Sequence, residues 1–581
     1  MDLLPTALRD SRCILHIDLD CFYCQVEQVR LGIPSDVPAA VQQWHGLIAG
    51  NKKKHAFMIM SMLINKVNYA ARKSGIKRMT NVTEAKKLCP DIQLLHVATY
   101  GPNDTEPKYH ANPDRNTHKV SLDAYRNASR EIFKIFHKHC DTIQKIGSDE
   151  GFMDVTKTIN SRLIQRYIQC RPDLMDKLDH DVCGVEVDWD QLGITVESKE
   201  EERRLELSDE RHWSETTWKD LQLALGAELA TEIRKEVYDK LQYTCSAGIA
   251  HNKTLAKLCS SRHKPNKQTV LRDIARMDFM RDIPFQKIRN LGGKLGSEIG
   301  SDLEVLNANE LWKYSAQDLQ ARFGPSTGLH VYNICRGIDF EEVTPSKAPK
   351  SLMASKSFRP AIVNAEEMQK WFSILAIELH NRIMRHHEDY GTWPKNISIR
   401  YASEYNRNYK SRTMSAFHKD ELKTHEILAK KAAALFNSLK DAYPCIGFDL
   451  CAFGLTQDES AASQTINHFF TKSNMTSAHH ANGKTTTEII PTKKSSTIKK
   501  GLFSFGIEKK PKMDDVDTFV CDECKQRIQL SQVEEHSDYH FALKLSNQDK
   551  QQERKRKDGS SQKQEEKRQK RSLFFKPRTS P

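Results

Sequence analysis

Three carboxylates in two short stretches are the groups in this chain best suited to chemistry. In Ile14-Leu15-His16-Ile17-Asp18-Leu19-Asp20, apolar Leu15, Ile17 and Leu19 alternate with His16, Asp18 and Asp20, the period of a half-buried strand. One face is apolar, and the other carries carboxylates for which an ordinary core has no use. Far downstream, Ser148-Asp149-Glu150 leads into a second strand-like run, Phe152-Met153-Asp154-Val155. If the two strands pair, Asp18, Asp149 and Glu150 converge. Crowded carboxylates repel one another unless cations sit between them, so the cluster predicts hard divalent metals, Mg²⁺ by default. Two unrelated acidic surface runs are the alternative, and spacing alone does not exclude it.

Two further sets carry chemistry. Tyr69, Arg72 and Arg78 can grip phosphate, since guanidinium forks match phosphate oxygens and a tyrosine hydroxyl adds a donor; a solvated helix face is the other reading. Cys521-Asp522-Glu523-Cys524 followed by His536-Ser537-Asp538-Tyr539-His540 has zinc-ligand spacing, with both histidines on one helix face. A finger helix that reads nucleic acid carries basic residues, whereas Glu534, Glu535 and Asp538 make this one acidic and suited to protein.

Elements able to position these groups are legible around them. Gln25 to Arg30 reads as a short helix stopping before Gly32 and Pro34, and Gln43 to Ala49 as a strand. Val67 to Arg78 reads as a strand end, a helix and a glycine stop. Leu221, Leu225, Leu229, Ile233 and Val237 recur every fourth residue, an amphipathic helix that can cover a sheet. The acidic stretch from Val185 to His212 reads as a surface insertion. Leu291-Gly292-Gly293-Lys294 before a helical run resembles a helix-hairpin-helix turn, whose glycines let backbone N–H groups approach a DNA phosphate; a plain turn is the alternative. Asn396–Tyr401 and Gly447–Phe453 alternate as strands of a further domain. From about Thr456 to Asp515 the composition turns to Ser, Thr, Lys and Asn, which reads as a disordered linker.

The 581 residues suffice for several domains, and 28% charged residues with a mean hydropathy of −0.64 fit a soluble protein with disordered parts. No membrane span and no secretory signal are expected, and fourteen scattered cysteines suit a reducing compartment. Net charge is +13, and from Ser546 onward twelve Lys/Arg face five Asp/Glu, so about half of the excess lies in the tail. Nucleic-acid binding by the body must therefore rest on local patches. Arg554–Lys557 and Lys567–Arg571 look like a bipartite nuclear localisation signal, or a generic nucleic-acid-binding tail.

Taken together, His16-Ile-Asp-Leu-Asp-Cys-Phe-Tyr23, Tyr69-Ala-Ala-Arg72 and Ser148-Asp-Glu150 in this order resemble the Y-family translesion DNA polymerases, and within them the eta branch in a fungal-looking form. His118–Arg126, Cys245–Lys253, His263–Asn266 and Ile288–Gly296 extend the resemblance, which covers roughly Ser11 to Leu455. It implies an α+β right-hand polymerase. A ferredoxin-like palm would span 1–22 and 110–262, small fingers 23–109, a helical thumb 263–345 and a little-finger (polymerase-associated) domain 350–456. A disordered linker at 457–515, a ββα ubiquitin-binding zinc finger at 516–546 and a basic tail at 547–581 would complete it.

The resemblance also implies roles. Asp18, Asp149, Glu150 and the carbonyl of Leu19 would hold two Mg²⁺ for nucleotidyl transfer, whereas at the position of Asp20 the family accepts other residues. Tyr69, Arg72, Arg78 and Lys264 would hold the triphosphate, Tyr23 would exclude ribose, and Gln43 would touch the template base. Gly292, Lys294, Lys356 and Arg359 would contact DNA phosphates. Cys521, Cys524, His536 and His540 would bind one Zn²⁺, and Asp538 would touch ubiquitin. Ile466, Phe469 and Phe470, and in weaker form Phe574 and Phe575, resemble boxes that bind the sliding clamp (PCNA), expected in ubiquitinated form. Primer-template DNA and dNTPs are the implied substrates, a nuclear monomer the implied state, and no proofreading domain is seen. A kappa-like or dCMP-inserting polymerase and a non-catalytic scaffold remain as rivals.

Two departures stand out. Gly147-Ser148 replaces the family's Ser-Ile before the acidic pair, and glycine loosens the turn that aims it. Gly50 to Lys66 interrupts a finger strand just before the phosphate grip, and it reads more readily as a retained intron than as a tolerated loop.

Overall fold

A computed structural model describes residues 3–43, 46–47, 67–77, 80, 82–208, 215–414 and 419–457, with two strands at Thr518–Val520 and Arg527–Gln529. The chain divides into two units, Met1–Ser477 and Ala478–Pro581. The 50–66 segment, both clamp boxes, the zinc-ligand candidates and the basic clusters lie outside the described residues.

A mixed α+β architecture fills the first unit. Its central sheet takes β1 (Ile14–Leu19), β2 (Ile143–Lys145), β3 (Glu150–Asp154), β4 (Ile194–Val196), β5 (Cys245–Ala250) and β6 (Gln268–Leu271), in the order β2-β3-β1-β5-β6-β4. Strand β1 is antiparallel to both of its neighbours. Around the sheet lie α1 (Phe22–Leu31), α3 (Asp123–His139), α4 (Trp218–Leu241) and α5 (Lys253–Arg262), while α2 (Tyr69–Lys73) packs beside the Ala39–Gln43 strand.

Helix α4 starts at a capping box, Thr217 with Asp220, and buries Leu221, Leu225, Leu229, Ile233 and Val237 in one core with Leu15, Ile17 and Leu19. Helix α5 covers the opposite face, in a second core with Ile14, Phe152 and Ala250. The expected half-buried strand is thus buried on both faces, and His16 is fully covered. Only toward its C-terminal end does β1 open, at Asp18.

Three sequence expectations change here. The stretch read as a surface insertion, 185–212, supplies sheet-edge strand β4 and the buried Trp189. Its Glu201 carboxylate accepts from Arg272 at 2.6 Å in a buried network with Asp220. Sequence composition cannot show that an acidic stretch has an internal arginine as counter-ion. The sheet also runs past 262, because α5 is the crossover between β5 and its parallel neighbour β6. The strand expected over Gln43–Ala49 is instead a hairpin arm: Gln43 ends Ala39–Gln43 and pairs with Gly46, giving a three-stranded sheet with Gln93–His96.

Short helices between Arg276 and Ile334 follow, and then a four-stranded antiparallel sheet. It comprises β7 (Ser351–Ile362), β8 (Thr392–Ser403), β9 (Lys410–Thr413) and β10 (Cys445–Gln457), ordered β7-β10-β8-β9. Helices α6 (Ala365–Tyr390) and α7 (His425–Asn437) share its core through Trp371, Phe372, Phe436 and Phe448. In the second unit, Thr518–Val520 pairs antiparallel with Arg527–Gln529. Among the described residues no helix is long and apolar enough to cross a membrane.

Candidate active site

Strand register assembles the acidic site. Asp18 faces Glu150 across β1 and β3, and Ser246 across β1 and β5. The Leu19 N–H donates to the Asp149 carbonyl at 2.9 Å, so the backbones of Asp18, Asp149 and Glu150 lie side by side at the open end of β1, while among the described residues no three acidic, His or Cys side chains are drawn together as a ready-made metal cage. The turn before them holds Gly147, and the Ser148 hydroxyl lies 3.4 Å from Asp149 Oδ1.

Two lysines neutralise this cluster. Lys264 Nζ lies 2.5 Å from Asp18 Oδ1 and 3.9 Å from Asp20 Oδ1. Burial works against the Lys264 charge, but the two carboxylates outweigh it and raise its pKa. Lys257 Nζ donates to Glu150 Oε2 at 2.5 Å, and His16 Nε2 stands 3.4 Å from the same oxygen. Burial alone would raise the Glu150 pKa, yet His16 and Lys257 bring it down to about 2, so this carboxylate is ionised at neutral pH. His16 is anchored behind it by Ser260, Nδ1 to Oγ 2.7 Å, and its burial lowers its own pKa. Hard oxygen donors that already draw cationic partners suit Mg²⁺.

Asp20 has a different task. It is 2% exposed, accepts from Ser246 Oγ and from the Asn266 N–H, each at 2.8 Å, and burial raises its pKa. Both oxygens are committed to joining β1 to β5 and to the Lys264–Asn266 turn.

Beside the carboxylates, Cys21 takes a left-handed φ of 40° and starts α1. This turn leads into Tyr23, whose ring stacks on Tyr125 at 3.9 Å between centroids with 6° between planes. The Tyr125 hydroxyl donates to Glu27 Oε1 at 2.7 Å, fixing the ring on which Tyr23 lies. At the start of α2, capped by Asn68, the Arg72 guanidinium lies 4.5 Å above the Tyr69 ring. Arg72 Nε donates to the Val67 carbonyl at 2.9 Å, while its Nη2 is buried without a hydrogen-bond partner among the described residues. An orphaned guanidinium N–H beside Tyr69 and Lys264 is the donor set expected around a bound polyphosphate. Arg78 and the Gln43 side chain lie outside the described residues.

Candidate phosphate contacts divide. Lys356 does not face solvent: Nζ donates to the carbonyls of Arg115 at 2.7 Å and His118 at 3.0 Å and lies 4.3 Å from the Trp371 ring centroid. Burial lowers its pKa to about 7. The reason is strand parity, which puts Lys356 with Ala354 and Phe358 on the helix-covered face while Ser355, Ser357 and Arg359 are exposed. Gly292 and Lys294 flank Gly293, the residue that starts the Lys294–Leu303 helix. The glycine that packing demands there is Gly296, where an added Cβ would meet the Leu291 carbonyl oxygen at 1.6 Å.

Sequence reading missed Lys257, His16, Ser260, Ser246 and Asn266 as parts of the site. Lys257 had one available signal: it stands seven residues before Lys264, on the helix that ends just short of it.

Comparison with known proteins follows this layout. The impB/mucB/samB family profile matches residues 17–261 and its C-terminal-domain profile matches 349–466, together more than half of the chain. A profile described as "DNApol eta/Rev1, HhH motif" matches 283–338, and one for a ubiquitin-binding zinc finger matches 517–548. The protein named N-acetyltransferase eso1 of Schizosaccharomyces pombe is 32% identical over 93% of this chain and 62% of its own length. DNA polymerase eta of Drosophila melanogaster is 31% identical over 68% of this chain and 42% of its own length. DNA polymerase eta of Saccharomyces cerevisiae is 27% identical over 92% of this chain and 88% of its own length. The chain thus spans under two thirds of the first two relatives.

Proposed function

The chain belongs to the Y-family of DNA polymerases, the impB/mucB/samB family, and on that premise we propose that it is a DNA-directed DNA polymerase that copies past damaged template bases. The observation that carries this reading is the register pairing Asp18 with Glu150 beside Asp149, each end of the pair facing a lysine. The central sheet is then the palm, the Ala39–His96 region the fingers, the helices from 276 to 334 the thumb and the β7–β10 sheet the little finger.

In this proposal Asp18, Asp149, Glu150 and the Leu19 carbonyl would hold two Mg²⁺. Those ions, when bound, supply activation of the primer 3′-hydroxyl and charge neutralisation on the triphosphate. The chain's own residues do the rest. Tyr69, Arg72, Arg78 and Lys264 grip the triphosphate and stabilise the charge that develops on it. Lys264 would exchange Asp18 for phosphate oxygens as the nucleotide enters. Tyr23, held flat against Tyr125, closes the space where a ribose 2′-hydroxyl would sit. Gln43 touches the template base. Gly292, Lys294 and Arg359 contact DNA phosphates. Lys356 instead fastens the little finger to the 115–118 segment.

The relatives named DNA polymerase eta support the eta branch, with ultraviolet-induced pyrimidine dimers as the lesion class. The zinc-finger match supports a ubiquitin partner, with Cys521, Cys524, His536 and His540 binding one Zn²⁺ and Asp538 at the ubiquitin contact. Ile466, Phe469 and Phe470, or Phe574 and Phe575, would bind ubiquitinated clamp, and the basic clusters would direct the monomeric protein to the nucleus. Primer extension opposite a thymine dimer tests the reading. Wild type should insert across the lesion, and Asp149→Ala should lose incorporation while still binding DNA. Incorporation by Asp149→Ala at the wild-type rate overturns the site; no extension by wild type favours the scaffold.

A further inference from the structure

We infer that Lys257 is a positioning residue for Glu150: its ammonium holds one carboxylate oxygen from behind, aims the other at the metals, and weakens cation binding at the site. The inference rests on the polymerase reading and adds to it a residue that neither the sequence motifs nor the comparisons single out.

Four observations carry it. Glu150 Oε2 takes the Lys257 contact at 2.5 Å and the His16 contact at 3.4 Å, while Oε1 takes no hydrogen bond among the described residues. The carboxylate is therefore held by one edge and its free edge is left to the open end of β1. The holder is itself held. Lys257 lies 3.5 Å from His16 Nε2, and His16 is fixed by Ser260, which sits on the same helix as Lys257 and donates to the Lys257 carbonyl at 2.9 Å. Helix α5 packs directly on the strands: at Gly248 of β5 it approaches so closely that a Cβ there would lie 2.0 Å from the Ala256 carbonyl oxygen. Finally, Lys257 differs in kind from Lys264. Lys264 pairs with Asp18, belongs to the proposed triphosphate set and is released to it. Lys257 reaches Glu150 from the α5 side, alongside buried His16.

A positive charge hydrogen-bonded to a metal ligand has two consequences of opposite sign for the reaction. It preorganises Glu150, which favours turnover, since about 1 Å of misplacement at a reacting centre can cost about a hundredfold. It also offsets part of the negative charge that attracts cations, which weakens binding. A residue that only stabilised the fold would move neither quantity once the protein was folded.

The test uses the full-length protein with Lys257→Met, which keeps the apolar stem and removes the ammonium, and Lys257→Arg, which keeps the charge. Mn²⁺ binding to the metal-free protein is read by electron paramagnetic resonance, kcat by primer extension, and folding by thermal melting. Lys257→Met should melt near wild type, bind Mn²⁺ roughly fivefold more tightly, and lose kcat by about 10- to 100-fold with KM for dNTP little changed. Lys257→Arg should restore Mn²⁺ affinity and most of kcat. Unchanged Mn²⁺ affinity in Lys257→Met, or a kcat loss that Lys257→Arg does not recover, overturns the inference. Should Lys257→Met fail to fold, Lys257→Arg alone decides, because altered Mn²⁺ affinity in a charge-conserving variant contradicts it. Failure of wild type to extend primers overturns the polymerase reading instead, and the Mn²⁺ comparison still judges Lys257.

Discussion

Tyr23 illustrates how a residue's task is set by its neighbour. Its ring is flat against Tyr125, Tyr125 is tied to Glu27, and Glu27 to Arg30, and in the proposed function this held ring is the wall against an incoming ribose. Such a wall acts by collision alone, and removing it should leave chemistry intact. Tyr23→Ala is expected to raise ribonucleotide incorporation by about two orders of magnitude or more while dNTP incorporation falls far less, a ratio measured by single-nucleotide insertion with rNTP and dNTP; about 2.7 kcal/mol or more of steric exclusion corresponds to that range. An unchanged ratio would assign sugar choice elsewhere. Asp18, Asp149 and Glu150 were legible as residue types, because no core needs them. Lys257 was not, because a lysine in a helix carries no mark of what it faces until the helix is placed.

Among the elements, α5 carries the most. It bears Lys257 and Ser260 and connects β5 to β6, and its position is set by one glycine. An alanine methyl at Gly248 would meet the Ala256 carbonyl oxygen at 2.0 Å and the Ser260 N–H nitrogen at 2.4 Å, both backbone atoms that cannot turn away. Gly248→Ala should destabilise the protein by about 3 kcal/mol or more, the upper end for overpacking, read as a lower denaturation midpoint, and should depress primer extension even at temperatures where the variant is folded. A variant as stable and active as wild type would show that the helix can move away freely. Helix α4 was legible from its four-residue apolar repeat. The β4 edge strand was not, because its acidic surroundings concealed the Arg272 counter-ion.

At the scale of the whole molecule, helix α6 of the four-stranded sheet is joined to the 100–126 region by charge. Asp123 accepts from Arg126 at 2.7 Å and Tyr100 at 3.0 Å, and Arg385 of α6 reaches it at 3.0 Å, while Lys119 meets Glu378 at 2.5 Å. Burial would raise the Asp123 pKa, but Arg385 and Arg126 prevail and hold it at about 2, below the ordinary 3.8. A carboxylate with a depressed folded pKa stabilises above its unfolded pKa and loses that contribution as pH falls through the folded one. Asp123→Asn should therefore cost roughly 2 kcal/mol at pH 7, and the gap to wild type should close as pH falls from about 4 to about 2; a gap that stays constant with pH would show that Asp123 acts by packing alone. At the other end of the chain, the matched finger should be separable. His540→Ala should release zinc and abolish ubiquitin binding, measured by metal content and titration with ubiquitin, while primer extension on bare DNA persists, since small domains of this kind fold on their metal.

What the sequence by itself determined was local: the alternation in β1, the periodicity of α4, the zinc spacing, and two acidic runs whose types suit metal chemistry. Each depends on neighbours within a few residues, where backbone geometry sets who shares a face. What only the tertiary structure decided was partnership across the chain. Register set Asp18 opposite Glu150 rather than beside it. Strand parity turned Lys356 inward and left Arg359 exposed. Packing gave Asp20 to Ser246 and Asn266, and gave Glu150 to Lys257 and His16. Charges find partners through space at a few ångströms, and sequence separation says nothing about that distance once β1, β3 and α5 fold onto one another.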